Sequence, residues 1–159
     1  MAQITLITVG SLKEAYLREG VDEYKKRISQ YARIEEINIK EQQIKNESDA
    51  SEIKRALDAE AEKILSAIPK DSFIISLCVE GQEYDSVSLA KFIEQAINQK
   101  GRITLIIGSS HGLSETVKKE SHARLSFSKL TFPHQLIRVL LLEAVYRSFT
   151  IISGKRYHK

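Results

Sequence analysis

The run Phe73 to Val79 reads as continuously apolar, and Ile103 to Ile107 forms a second such run. Both are too short for helices, and a strand apolar on both sides is stable only in a sheet covered on both faces. They predict buried strands of a parallel sheet, which needs crossover helices between its strands. The rest of the chain supplies them. Gln3 to Val9 alternates and is β-branched, predicting a first strand closed by Gly10. Ser11 with Glu14 has capping-box spacing, so a helix is expected from there to about Tyr31, with Leu12, Ala15, Tyr16, Val21, Tyr24 and Ile28 on its apolar side. Arg33 to Ile39 predicts a second strand, Glu41 to Ser51 a polar loop, and Glu52 to Ile68 a helix stopped by Pro69. Gly81 is expected to end the Phe73 strand. Ser86 then starts a helix carrying Leu89, Phe92, Ile93, Ala96 and Ile97 at helical spacing. After Ile107 come a short helix, a strand near Arg124 to Ser126, and a last helix opened by Pro133 and running to about Phe149. Such alternation is the pattern of an α/β protein, a mostly parallel sheet with flanking helices.

At 159 residues the chain is expected to be one domain, 1–159, with 42% hydrophobic and 28% charged residues. The single cysteine, Cys78, lies in an apolar run, which predicts a buried thiol in a reducing compartment. No Cys/His cluster has zinc spacing, so no metal is expected. No apolar run approaches bilayer length, and Met1 to Leu6 lacks the features of a signal peptide, so a cytoplasmic location is expected, with no membrane partner. The net charge of +3 is unevenly spread. Residues 121–159 hold seven Lys and Arg against Glu143 alone, while residues 1–120 hold 17 against 20 Asp and Glu. A basic last quarter suits a phosphate-rich partner, although a solvated charged face would look the same.

Ligands of open α/β sheets sit beyond the carboxyl ends of the strands. The candidate segments therefore follow Leu77, Ile107 and Ser126. Gly108-Ser-Ser-His-Gly112 lets the backbone turn sharply and approach a ligand closely, but it matches no phosphate loop, and His111 reads as a loop histidine. Phe127 to His134 mixes hydroxyls and apolar residues without strand or helix period, a composition that suits a purine-bearing ligand and equally a packed loop. The last helix is apolar nearly all round, predicting burial on the sheet and against a second subunit. His134 and Arg138 fall one turn apart, with Glu143 and Arg147 paired at i,i+4 roughly opposite, either as a structural ion pair or as part of a site. The end, Gly154-Lys155-Arg156-Tyr157-His158-Lys159, is either a frayed tail or a stacking and phosphate-gripping segment for RNA.

The segment Leu125 to Phe149, with Ile107-Gly-Ser-Ser-His-Gly-Leu113 before it, Tyr157-His158-Lys159 after it and Val9-Gly10-Ser-Leu-Lys13 at the start, closely resembles the ribosomal RNA large subunit methyltransferase H family of SPOUT enzymes. The resemblance spans the whole chain. It implies a C-terminal deep trefoil knot (the SPOUT or α/β-knot fold), a homodimer, and methyl transfer from S-adenosyl-L-methionine to N3 of a pseudouridine in 23S rRNA within the ribosome. By motif it implies cofactor binding at Leu77, Gly108, Phe127, Ser128, Lys129, Leu130, Thr131 and Phe132. The catalytic set expected on this basis is His134, Arg138, Glu143, Arg147, Tyr157 and His158, with Lys155, Arg156 and Lys159 on RNA. His134 and His158 are the candidates for handling the N3 proton. Because the faces of the last helix diverge, a composite site between subunits is expected. The family usually carries two glycines after the fourth strand, and Ser109 replaces the second. A serine fits there in an ordinary backbone conformation, though its side chain would crowd the cofactor. The alternative is a non-catalytic ribosome-binding factor on the same fold.

Overall fold

A computed structural model describes residues 1–159. Five strands, β1 (Ala2–Val9), β2 (Ala32–Ile39), β3 (Phe73–Gln82), β4 (Arg102–Ile107) and β5 (Ala123–Leu125), form one sheet in the order β2-β1-β4-β3-β5. Every pairing is parallel. Five helices connect and extend them: α1 (Ala15–Ile28), α2 (Ala50–Ala67), α3 (Ser86–Lys100), α4 (Glu115–Glu120) and α5 (Leu136–Ile152). α1, α3 and α5 bury Val21, Ile93 and Leu141 against one face of the sheet, in a core of 18 buried residues. α2 and α4 cover the other face with a smaller core that includes Ile64 and Val117. The thicker layer is the one built on α5, which packs between α1 and α3. No helix is long and apolar enough to cross a membrane.

The predicted elements are all present, with informative shifts. β1 alternates in sequence, yet it is a central strand buried throughout from Ile4 to Val9. Its polar positions, Thr5 and Thr8, are buried and donate to Glu35 and Glu36 of β2, so hydroxyls inside the sheet remain paired. The expected Ser11 cap is not formed. α1 starts at Ala15 after Glu14, because residues 11–13 are held outside the helix. Arg18 donates to the carbonyls of Leu12 and Lys13, and the amide of Lys13 donates to Gln135. The buried side of α1 runs through Leu17, Val21 and Ile28, while Tyr16, expected on it, is 68% exposed. α2 begins two residues before its predicted start, where Asp49 accepts from the amides of Ser51 and Glu52. Pro133 does not open α5. The helix starts at Leu136, with the carbonyl of Pro133 accepting from the amide of Ile137, and continues to Ile152. The apolar circumference of α5 is largely satisfied by the sheet, α1 and α3 of the same chain.

Gly81 does not end β3. The strand runs to Gln82, and Leu125 of β5 pairs with both Leu77 and Gln82, so residues 78–81 bulge between two pairings with one partner. The amide of Ser126 donates to the carbonyl of Gln82 at 2.9 Å, closing the far side of the bulge. A Cβ on Gly81 would lie 2.7 Å from the carbonyl carbon of Leu125 and 2.8 Å from that of Arg124. Only glycine lets the two backbones come this close. Gly81→Ala is expected to lower stability by about 1–3 kcal/mol through overpacking against immovable backbone. Urea unfolding should show a lower midpoint; an unchanged midpoint would mean the bulge relaxes freely.

Candidate functional site

The carboxyl ends of β3, β4 and β5 enclose a cavity of about 710 Å³. Three walls match the three strand-end segments expected from sheet topology. The bulge of β3 supplies Leu77 to Glu80, the turn after β4 supplies Gly108 to Leu113, and the segment after β5 supplies Ser126 to Ser128 and Leu130 to His134. Apolar walls from Leu77, Ile107, Phe127 and Phe132 stand beside backbone and hydroxyl groups, as a flat heteroaromatic ligand requires.

Gly108 is dictated by space. A Cβ there would press into the carbonyl group of Gly112, 2.6 Å from its carbon. Gly112 is dictated by conformation, with φ of +87°. Between them the amide of Gly112 donates to the carbonyl of Ser109, making a tight turn. Ser109 is buried and has no left-handed backbone, so a serine is accommodated. Its hydroxyl accepts from the amide of His111, which draws the side chain back onto its own loop. Within the third segment, Ser126 Oγ donates to the carbonyl of Ser128, and Ser128 Oγ accepts from the amide of Leu130. These local bonds hold a stretch that belongs to neither helix nor strand. Lys129, expected among the cofactor residues, is exposed and does not line the cavity; Leu130 does, while remaining 70% exposed.

Lys118, Glu80, His111 and Cys78 also line the cavity and were not among the expected site residues. The strand-end rule reaches Cys78 and Glu80, but nothing in the sequence brings Lys118 to them. Lys118 Nζ sits 2.5 Å from Glu80 Oε1 and 3.5 Å from Glu115. The hydrogen bond from Lys118 holds the Glu80 carboxyl below its ordinary range. Cys78 is half-buried rather than buried, and burial pushes its thiol pKa up, so it stays protonated.

The expected catalytic residues divide into two groups. His134, half-buried, faces the cavity. Burial lowers its pKa, and the Arg138 charge lowers it further, so the ring is neutral at pH 7. The second group gathers around the far end of α5. Arg147 donates to Glu143 at 2.6 Å, Tyr157 OH donates to the same carboxylate at 3.1 Å, and Arg147 lies 3.2 Å from His158 Nδ1. The Arg147 guanidinium lies over the Tyr157 ring at 4.7 Å, and Tyr146 meets that ring edge-on. Burial, then hydrogen bonding with Tyr24 and Glu143, pushes the Tyr157 phenol up to about 12. Lys155 lies over Tyr31, while Arg156 and Lys159 are exposed. None of this group lines the cavity; eleven residues of helix separate Arg147 from Leu136, about 16 Å.

Arg138 joins neither group. It is 1% exposed and donates from Nη2 to the carbonyls of Val9 and Gly10, both at 2.8 Å. These two bonds tie the guanidinium to the end of the first strand, beside the cavity-lining His134.

Residues 2–158 match the family model described as "Predicted SPOUT methyltransferase". The ribosomal RNA large subunit methyltransferase H of Caldicellulosiruptor bescii is 46% identical over 98% of this chain and 99% of its own length. That of Shouchella clausii is 45% identical over the same shares. The chain belongs to this family of SPOUT methyltransferases. Membership implies the trefoil knot expected from the resemblance. Among solved structures, a probable methyltransferase from Bordetella pertussis shares the fold, with a TM-score of 0.58 at 11% identity over 92% of this chain and 96% of that one. A probable methylase family protein from Haemophilus influenzae matches 99% of this chain and 70% of its own at a TM-score of 0.52 and 15% identity.

In this SPOUT chain the unfolded state takes up a proton at His134 near pH 6.5, while the folded state resists until lower pH. Stability is therefore intact above 6.5 and falls as the pH drops through 6.5 toward the folded value. NMR titration of the imidazole should give a pKa below 6.5, and His134→Gln should remove that part of the acid loss. A pKa at or above 6.5 would contradict the burial argument.

Proposed function

We propose that the chain transfers a methyl group from S-adenosyl-L-methionine to N3 of a pseudouridine in 23S rRNA of the large ribosomal subunit. The observation that carries this reading is the cavity itself: two of its three walls, Gly108 to Leu113 and Ser126 to His134, fall in the stretches that carry the family resemblance, and relatives matched over 98% of the chain carry ribosomal RNA methyltransferase names. The cytoplasm is the compartment where such a substrate is met.

The cavity's volume and its mixture of apolar wall and exposed backbone fit an adenosyl group. Leu77, Phe127 and Phe132 would flank the adenine. The backbone around Gly108 and Ser128 to Thr131 would meet its polar edges and the ribose. Bound there, S-adenosyl-L-methionine supplies an electrophilic methyl group on a sulfonium. The chain has two further tasks: to hold N3 in line with that group, and to take the imide proton that N3 carries at neutral pH. His134 is neutral and reaches the cavity, so it accepts that proton on its free ring nitrogen. The cations of the tail stabilise charge developing on the flanking carbonyl oxygens and hold phosphates.

Within one chain the tail group and His134 lie at opposite ends of α5. The reading therefore takes a homodimer in which one subunit provides the cavity and its partner provides Arg147, Tyr157, His158 and the basic tail. The tyrosine stays protonated, since its pKa lies far above physiological pH, and acts as a hydrogen-bond donor. Recognition relies on the basic surfaces of both subunits and the shape of the assembled particle.

Labelled methyl transfer to ribosomes from cells lacking the gene tests the reaction, with the product identified as N3-methylpseudouridine. Removal of residues 155–159 is expected to leave cofactor affinity within about twofold and to reduce methylation by at least about 100-fold, as loss of positioning groups does. Normal turnover by the truncated chain would refute the composite site. Cofactor binding absent from the full chain, with ribosome binding retained, would point to the non-catalytic factor instead.

A further inference from the structure

A second pocket, about 510 Å³, opens beyond the carboxyl ends of β1 and β2. It adjoins the first: Ser110 and His134 line both. The turn after β4 thus stands between two compartments on the same edge of the sheet, and their chemistry differs. The larger is walled by aromatic and aliphatic groups, whereas no hydrophobic residue lines the smaller. Apart from the His134 imidazole it offers no aromatic face, and an apolar ligand gains nothing there. Its charged groups are Lys13 and Lys40 on one side of the balance and Glu41 on the other, with His134 neutral. Neither lysine is engaged by a carboxylate, in contrast to Lys118 in the larger cavity.

The wall of this pocket is also fixed from behind. Gly10 holds φ of +84°, and its carbonyl accepts from both Arg138 and Asn38. Arg138 is buried with Nε unpartnered, and no carboxylate hydrogen-bonds to it. Glu36 and Glu41 offset this buried charge only through space, and Glu41 does so from the pocket itself.

We propose that this pocket holds the sugar-phosphate backbone of the RNA strand at the methylated nucleotide, with Lys13 and Lys40 as the phosphate-binding pair. The inference rests on the proposed function and assigns a substrate subsite within it. A base entering the larger cavity past His134 would leave its backbone on the polar side of that histidine, where the lysines stand. Glu41 is a poor neighbour for a phosphate but a good acceptor for a ribose 2′-hydroxyl, the group that distinguishes RNA from DNA. The two compartments then divide the work: one takes flat apolar groups, the other the backbone.

The test is co-sedimentation of the full chain with ribosomes from cells lacking the gene, over a series of salt concentrations. The double variant Lys13→Ala/Lys40→Ala is expected to bind about tenfold or more weakly at moderate salt. Its slope of log affinity against log salt should be shallower by about 1.4, at about 0.7 per phosphate of a single strand. Its affinity for S-adenosyl-L-methionine by calorimetry should be unchanged, and Lys13→Arg/Lys40→Arg should keep most of the ribosome binding. Affinity and slope equal to those of the unaltered chain would overturn the pocket's role. Failure of the unaltered chain to bind ribosomes would overturn it together with the proposed function. Lysine-dependent binding without any methyl transfer to RNA would refute the reaction and, with it, the placement at a methylated nucleotide, leaving the pocket as an RNA-backbone site only.

Discussion

The buried guanidinium of Arg138 joins the two ends of the fold. It comes from the last helix and grips the last carbonyl of the first strand and the one after it, 129 and 128 residues away in sequence. Charge-assisted bonds of this kind contribute about 1.5–3 kcal/mol each. Their geometric effect matters more. With Val9 and Gly10 held, the chain leaves β1 in one direction only, residues 11–13 run outside α1, and Gln135 can reach the amide of Lys13. His134 sits four residues before Arg138, so the same anchor sets where that imidazole stands between the two compartments. A hydrophobic residue could fill the volume of Arg138, but it would leave two carbonyls without this donor.

The two groups of polar residues on α5 follow from helical geometry. Side chains that point into the cavity from the start of the helix cannot be met by those three turns later. The cluster of Glu143, Arg147, Tyr157 and His158 is internally satisfied, through bidentate contact, a phenol donor and stacking. It is ordered by its own chain while remaining partly open to solvent. A tail organised in this way presents its cations in a fixed arrangement rather than as a diffuse charge.

Much of this was legible in the residues. Strand-helix alternation predicted the layered sheet, and the rule that ligands lie beyond strand ends predicted all three cavity walls. Long motifs at Leu125 to Phe149 carried the family. The errors have a common origin, in groups whose partners lie far away in sequence. Ser11 has the spacing of a cap, yet Arg18 and Gln135 hold its neighbours elsewhere. Thr5, Thr8 and Glu60 are polar residues buried inside the fold, Glu60 accepting from the amide of Gln42. Arg138 was expected in the catalytic set, one turn from His134, and its carbonyl partners Val9 and Gly10 lie too far away in sequence to be read. The polar pocket draws on residues near 10, 40, 110 and 134, and no local motif could have assembled them.

The bulge of β3 bears on ligand traffic. Its residues are tied down on both sides, by the pairing of Leu77 before it and of Gln82 after it with the same leucine of β5. The floor beneath it is backbone against backbone at Gly81. This wall cannot swing as a door without tearing the sheet edge. The turn after β4 is similarly pinned by its glycines and the bond between Gly112 and Ser109. The remaining wall, residues 127–134, has no ladder pairing and is held by short hydroxyl bonds and by Phe127 and Phe132 packed on the core, which makes it the wall with the fewest backbone ties. The rate at which that one segment yields would set how quickly a spent ligand leaves, whatever the speed of the chemistry behind it.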